Sequence, residues 1–97
     1  MSRHIIAPRA LTDLDDIWLY IAQDSIPTAD RVLNEIYAAI KELAKMPGMG
    51  HIREDLTRQA LRFWPVYSYL IIYRVEAHHI EIVRVLSGYR DIGAVLD

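Results

Sequence analysis

Apolar residues recur at helical spacing along the first half of the chain and mark two amphipathic helices. The first helix is predicted from Pro8 to Asp24 and the second from the short break Ser25-Ile26-Pro27 to Met46-Pro47-Gly48. The first apolar stripe consists of Leu11, Leu14, Ile17, Trp18 and Ile21. The second consists of Ala29, Val32, Leu33, Ile36, Tyr37, Ile40, Leu43 and Ala44. Because the break between them is so short, we expect an antiparallel helical hairpin.

The helical spacing of apolar residues ends in the second half of the chain. There, β-branched and aromatic residues predict three strands at residues 61–66, 68–75 and 79–87. The last two strands form a hairpin around Glu76-Ala77-His78-His79. A short strand over residues 3–7 precedes the helices, and a short helix ends the chain. The predicted fold class is therefore α+β: an N-terminal strand, an antiparallel two-helix hairpin, three antiparallel strands and a short C-terminal helix.

Alternation in the predicted hairpin assigns its side chains to two faces of the sheet. If Val75 faces Ile80, Arg74 lies opposite Glu81 and forms a cross-strand ion pair. One face then carries Leu70, Ile72, Val83 and Val85. The other carries Tyr69, Ile71, Tyr73, Ile82 and Leu86, with Arg84 at its centre.

The second of these faces is the more informative for function. A two-helix hairpin covers only one side of the sheet, and a small soluble protein seldom exposes a large apolar patch. We therefore expect a protein partner, or the C-terminal segment Tyr89–Leu96, to cover this face. Arg84 in the middle of it requires an anionic contact.

Length and composition limit the class of protein. The chain has 97 residues, of which 53% are hydrophobic and 25% charged, as expected for one globular domain over residues 1–97. The absence of cysteine excludes a disulfide framework, a thiolate metal site and a cysteine nucleophile. No apolar run approaches the roughly 20 residues of a membrane span, and Pro8 and Arg9 interrupt any apolar signal core. We expect a cytoplasmic protein without membrane association.

Charge and motif content narrow the chemistry further. The net charge of −2 is not that of a duplex-binding protein. Every basic residue after Lys45 is an arginine, which favours bidentate contacts to carboxylate or phosphate, although ordinary surface ion pairs explain these arginines equally well. The chain has no Gly-rich phosphate loop, no His-Glu-x-x-His and no nucleophile elbow. We interpret Asp13, Asp15 and Asp16 as a solvated helix face, and we expect no metal and no cofactor.

Short stretches along the whole chain carry a family resemblance. They are Pro8-Arg9-Ala10, Leu14–Ala22, Ala29–Leu33, Met46–Gly50, Tyr69–Glu76 and Ile80–Asp91. In this order and spacing they resemble the RelE/ParE superfamily of type II toxins, and its ParE branch most closely. The resemblance implies a toxin that inhibits DNA gyrase by binding and forms a hetero-oligomer with a cognate antitoxin that neutralises it.

The RelE branch of the superfamily implies another target, messenger RNA cut on the ribosome. This chemistry needs groups that stabilise phosphate charge and a residue that activates the 2′-hydroxyl. The resemblance places Arg90 at the position of a catalytic arginine of that branch. The positions of the branch's central-strand arginine and C-terminal tyrosine fall near Leu70 and Leu96, which are apolar. The first hypothesis is therefore a gyrase inhibitor without catalysis of its own. The alternatives are a ribosome-dependent endoribonuclease and an inactivated relative that only binds the antitoxin.

These hypotheses define three sets of candidate site residues. The expected antitoxin-binding residues are Tyr69, Ile71, Tyr73, Ile82, Arg84 and Leu86. The expected target-binding residues are Arg53, Arg58, Arg62 and Arg90. For the ribonuclease alternative the catalytic candidates are Arg84, Arg90, Tyr89 and His51.

Overall fold

The computed structural model describes residues 3–96, which form three α-helices and one five-stranded sheet. The helices are α1 (Pro8–Ala22), α2 (Ile26–Lys45) and α3 (Ile92–Leu96), and a 3₁₀ turn, Pro47–Met49, follows α2. The strands are β1 (His4–Ile6), β2 (His51–Ile52), β3 (Arg62–Val66), β4 (Tyr69–Val75) and β5 (Ile80–Ser87). This order of elements confirms the predicted α+β fold class.

Local sequence signals explain where the helical hairpin turns. The Ser25 hydroxyl caps α2 by accepting a hydrogen bond from the backbone N–H of Thr28 at 3.2 Å. Pro27 lies in the first turn of α2, where a missing N–H costs no intrahelical hydrogen bond. Trp18 Nε1 on α1 donates to Asp30 Oδ1 on α2 at 2.9 Å, which ties the two helices together.

The apolar stripes of both helices face the sheet. Their buried members are Ala10, Leu14, Ile17, Ala29, Val32, Leu33, Ile36, Ile40, Leu43 and Ala44. Two predicted members, Leu11 and Tyr37, lie at the edges of the stripes and are 46% and 38% exposed. No helix within residues 3–96 is both long and apolar enough to cross a membrane.

The sheet has the strand order β1-β5-β4-β3-β2, with β1 parallel to β5 and the other pairs antiparallel. The three predicted antiparallel strands form its centre, and β1 and β2 extend it at the two edges. At the hairpin turn the predicted register is confirmed: Val75 lies opposite Ile80, and Arg74 Nη1 is 2.9 Å from Glu81 Oε1.

A β-bulge in β5 changes the register halfway along the hairpin. Tyr73 lies opposite Ile82, but the next residue of β4, Ile72, lies opposite Arg84. Val83 is therefore an additional residue in β5 without an opposite partner in β4. From Val85 on, the residues of β5 face the side of the sheet opposite to the one that strict alternation assigns.

The prediction of an open apolar face made by Ile71, Tyr73, Ile82 and Leu86 is wrong. Ile71, Tyr73 and Ile82 are fully buried in the cluster that contains the stripes of α1 and α2. The helices therefore cover the broad face that was expected to be free. The bulge places Val85 in this helix-side cluster and Leu86 on the other side of the sheet.

A smaller cluster fills the opposite side of the sheet. Its buried members are Leu61, Phe63, Ile72, Leu86 and Ile92. Ile92 belongs to α3, so the C-terminal segment covers this side. The sequence-based expectation placed it on the opposite face, which the helices cover instead. The sheet thus has an apolar cluster on each face, a larger one under the helical hairpin and a smaller one under α3.

Candidate functional site

A groove of about 410 Å³ lies between α1 and the ends of β4 and β5. We call it the α1–β5 groove. It is lined by Asp13, Asp16, Ile17, Tyr20, Ser68, Tyr69, Val85, Leu86, Ser87, Tyr89 and Arg90. Helix α1 supplies the first four of these residues. The turn before β4 and the first residue of β4 supply the next two, and β5 with the turn after it supplies the rest.

Backbone hydrogen bonds hold the β-side wall of the groove. The Gly88 N–H donates to Ser68 O at 2.7 Å, which ties the turn after β5 to the turn before β4. A Cβ at position 88 would lie 3.3 Å from that same carbonyl oxygen, so the close approach favours glycine. The N–H of Arg90 donates to Ser87 O at 3.1 Å, and that of Tyr89 to Ser87 Oγ at 3.3 Å. These contacts place Tyr89 and Arg90 at the mouth of the groove.

Arg84 has its anionic contact within the chain. Its Nε and Nη2 atoms donate to the two carboxylate oxygens of Asp13 at 2.7 and 2.9 Å. This hydrogen bonding raises the pKa of Arg84 above its ordinary value. The prediction that Arg84 lies free on a partner-binding face is therefore wrong, and so is the assignment of Asp13 to a solvated helix face, since Asp13 is buried.

The open part of the groove is aromatic. Tyr20 and Tyr89 are 71% and 91% exposed, and Tyr69 is half-buried between their elements. Burial raises the pKa of Tyr69, and the charge of the nearby Tyr20 adds to this rise. Arg90 forms no ion pair with any of residues 3–96. The groove therefore offers tyrosine rings for an apolar side chain and a free cation for a carboxylate.

A second, shallower depression of about 300 Å³ adjoins the groove. It shares Ser68, Tyr69 and Tyr89 with the groove and adds Tyr67 on its rim. Tyr67 has a φ of 54°, an unusual conformation for an aromatic residue, in the tight turn between β3 and β4. The nearby carboxylate of Glu35 on α2 raises the pKa of Tyr67.

The four arginines expected to bind the target do not form one surface. Arg53 pairs with Asp55 at 2.8 Å in the loop after β2, and Arg58 is exposed further along the same loop. Arg62 is half-buried and donates to Gly50 O at 2.8 Å. Of the four, Arg90 alone lines the α1–β5 groove.

The catalytic candidates of the ribonuclease alternative are also separated. Tyr89 and Arg90 lie side by side at the groove, but Arg84 is engaged by Asp13. His51 lies on the edge strand β2, three strands away from β5, and its ring stacks on Trp64 with 6.2 Å between the ring centroids. Within residues 3–96 no group of three or more histidine, aspartate or glutamate side chains is placed to hold a metal ion.

Sequence reasoning missed the contribution of α1 to the groove. The relevant signal was the spacing of Ala10, Asp13, Leu14 and Ile17, which places Asp13 on the buried face of the helix. An aspartate at such a position needs a donor from another element. Tyr20, which lies on the rim of the same face, carried no comparable signal.

The fold and the groove define a small α+β protein with an open, tyrosine-lined groove at the junction of its helical hairpin and its sheet. A sequence model described as "ParE toxin of type II toxin-antitoxin system, parDE" matches residues 5–92, and the chain belongs to this family.

Named relatives and a solved structure agree with this assignment. Toxin ParE1 of Caulobacter vibrioides (strain ATCC 19089 / CIP 103742 / CB 15) is 38% identical over 87 residues, which cover 89% of this chain and 88% of the relative. Toxin ParE3 of the same strain is 29% identical over 97 residues, covering 99% and 96% of the two chains. A chain of the chromosomal ParDE TA system from P. aeruginosa has the same fold, with a TM-score of 0.74, 22% identity and coverage of 90% and 96%.

Proposed function

We propose that this ParE-family toxin inhibits DNA gyrase by binding to it and that a cognate antitoxin neutralises it by forming a hetero-oligomer. Family membership over residues 5–92 supports a toxin of a type II system. The observation that carries the binding role is the open, tyrosine-lined α1–β5 groove with Arg90 at its mouth. Tyrosine and arginine are among the residues that contribute most to protein–protein binding. We expect both partners in the cytoplasm.

The same groove is the proposed site for the antitoxin. Of the predicted antitoxin surface, Ile71, Tyr73 and Ile82 are buried under the helices, whereas Tyr69 and Leu86 line the groove. An antitoxin segment that is disordered when free would fold onto this surface. We expect it to place apolar side chains between Tyr20, Tyr69 and Tyr89 and a carboxylate against Arg90.

A binding mechanism suits the positions of the charged groups better than RNA cleavage does. Of the four catalytic candidates, Arg84 is neutralised by Asp13 and His51 lies at a distant strand. The observation that favours the ribonuclease alternative is the pairing of Tyr89 with Arg90 at the groove mouth. The experiment must therefore measure both activities.

The test is a supercoiling assay with purified gyrase and the purified protein, run beside a cleavage assay on ribosome-bound messenger RNA. We expect inhibition of supercoiling, its reversal by an equimolar amount of the antitoxin, and intact messenger RNA. Tyr89→Ala and Arg90→Ala should each weaken inhibition more than tenfold, because truncating a central interface residue costs about 2 kcal/mol or more. Arg58→Ala, in an exposed loop away from the groove, is the matched control and should inhibit like the unaltered protein.

Each other outcome has a definite meaning. Codon-dependent cleavage with gyrase unaffected would replace the proposal by the endoribonuclease alternative. Antitoxin binding without either activity would identify an inactivated relative. Equal loss of inhibition for Arg58→Ala and Arg90→Ala would remove the groove as the target site.

A further inference from the structure

The ion pair between Asp13 and Arg84 is the most buried of the ion pairs within residues 3–96. Its side chains are 9% and 11% exposed, whereas those of the cross-strand pair Arg74–Glu81 are 38% and 34% exposed. The guanidinium binds the carboxylate in a bidentate way, and Asp13 Oδ2 also accepts the backbone N–H of Val85 at 3.0 Å. One carboxylate on α1 therefore receives three hydrogen bonds from β5.

These three hydrogen bonds lie at the bulge of β5. Arg84 directly follows Val83, the additional residue of the bulge, and Val85 is the next residue along the strand. A strand bends at a bulge, and the direction in which it continues depends on the contacts made there. The Asp13 carboxylate thus determines how the last part of β5, Val85–Ser87, lies relative to α1.

The last part of β5 is also one wall of the α1–β5 groove. Asp13 and Val85 line the groove, and Ser87 lies opposite Tyr69 of β4 in the sheet. Tyr20, about two helical turns after Asp13, faces these strands from α1. The two walls of the groove are therefore connected at the Asp13–Arg84 pair.

We propose that Asp13 and Arg84 are positioning residues that set the spacing between Tyr20 and Tyr69. Through this spacing they set the affinity of the groove for its proposed target, DNA gyrase. The proposal rests on the proposed function, in which the groove binds that partner. Disrupting any buried ion pair lowers stability, because it leaves an uncompensated charge. The positioning role requires in addition that the bidentate geometry itself is needed for binding.

Arg84→Lys separates these two roles. A lysine keeps the positive charge near Asp13 but cannot form two parallel hydrogen bonds to the carboxylate. The variant should therefore remain folded at 25 °C while the wall formed by Val85–Ser87 shifts. Arg74→Lys, at the more exposed ion pair on the same sheet, makes the same chemical change away from the groove.

Fluorine NMR of protein labelled with 3-fluorotyrosine tests the spacing without any partner. Arg84→Lys should shift the signals of Tyr20 and Tyr69, whereas the signal of Tyr37, which does not line the groove, should stay in place. Arg74→Lys should leave all three signals unchanged. Unchanged signals of Tyr20 and Tyr69 in Arg84→Lys would overturn the proposal. Single Tyr→Phe variants assign the signals.

Supercoiling inhibition tests the consequence for binding. Arg84→Lys should raise the concentration needed for half-inhibition of gyrase at least tenfold. Ile36→Val, a core variant outside the groove, serves as the stability control and should inhibit like the unaltered protein despite its lower Tm. If loss of inhibition simply followed loss of Tm across the variants, the pair would be structural only and the proposal would be overturned. If the unaltered protein failed to inhibit gyrase, the proposed function would fail, and the fluorine signals would still decide whether the pair positions the tyrosines.

Discussion

Tyr73 shows how one buried hydroxyl positions a loop. It donates to Pro47 O at 2.6 Å and accepts the N–H of Gly50 at 2.8 Å, while Arg62 donates to Gly50 O at 2.8 Å. Burial raises the pKa of Tyr73, so the hydroxyl remains a donor over the ordinary pH range. These contacts bind the stretch Met46–Gly50 to the centre of the sheet.

The first stability prediction concerns Gly50. A Cβ there would overlap the hydroxyl and the ring edge of Tyr73, with 2.6 Å to Cε1, and the buried ring has little room to move. Gly50→Ala should therefore lower the free energy of unfolding by about 1–3 kcal/mol, as overpacking of a filled core does. In a domain of this size, this corresponds to a Tm lower by about 4–8 °C for each kcal/mol.

Gly48→Ala is the matched control, because no atom outside the neighbouring residues would lie within 4 Å of the new Cβ. Thermal unfolding followed by circular dichroism measures both variants. An unchanged Tm for Gly50→Ala would mean that the contact with Tyr73 is not as close as the structure shows.

At the scale of elements, the helical hairpin follows from local sequence. The signals that mark the hairpin are its apolar stripes, Pro8 and Pro27 in the first helical turns, and the Ser25 cap. All of them lie in the helices or directly beside them, so local sequence predicts where the hairpin is. Four of the five strands were also predicted, but β2 was not, and the faces of the strands were assigned incorrectly. Next to the bulge at Val83, β5 contacts α1 through Asp13 and Arg84, which are about seventy positions apart in the sequence.

The second stability prediction concerns the Ser25 cap. Ser25→Ala removes the acceptor for the Thr28 N–H and should cost about 1 kcal/mol, whereas Ser25→Asn retains a side-chain acceptor and should be nearly neutral. Urea unfolding monitored by circular dichroism measures both free energies. Equal losses for the two variants would show that the hydroxyl does not act as a cap.

At the scale of the whole molecule, the two apolar clusters share the sheet and lie on its opposite faces. Ile36 belongs to the cluster under the helices and Ile72 to the cluster under α3. Both side chains are fully buried. Since they belong to different clusters, we expect their contributions to stability to be independent.

The third stability prediction tests this independence. Ile36→Val and Ile72→Val should each cost about 0.5–1.5 kcal/mol, and the double variant should lose the sum of the two within about 0.5 kcal/mol. Urea unfolding of the four proteins gives the comparison. A deviation above 1 kcal/mol (roughly twice the usual additivity error) would show that the two clusters are coupled through the sheet.

The candidate site could be predicted only in part, because segments that are distant in the sequence form the groove. Tyr69, Tyr89 and Arg90 were named as candidates in separate sets, and the structure brings these three together in one groove. Tyr20 and Asp16 line that groove from α1, about fifty or more residues away in the sequence. No local pattern signals such a junction, because each of these side chains is an ordinary exposed residue of its own element.

The sequence by itself determined the order and type of the elements and the family, because helical stripes, strand composition and turn residues act over a few neighbouring positions. It also determined that Arg84 needs an anion. Only the tertiary structure decided that Asp13 supplies this anion and that Ile71, Tyr73 and Ile82 face the helices. Which face the helices cover depends on contacts between distant elements. The exchange of Val85 and Leu86 between the faces depends on one additional residue in β5, and a period-two pattern cannot encode where such a bulge forms.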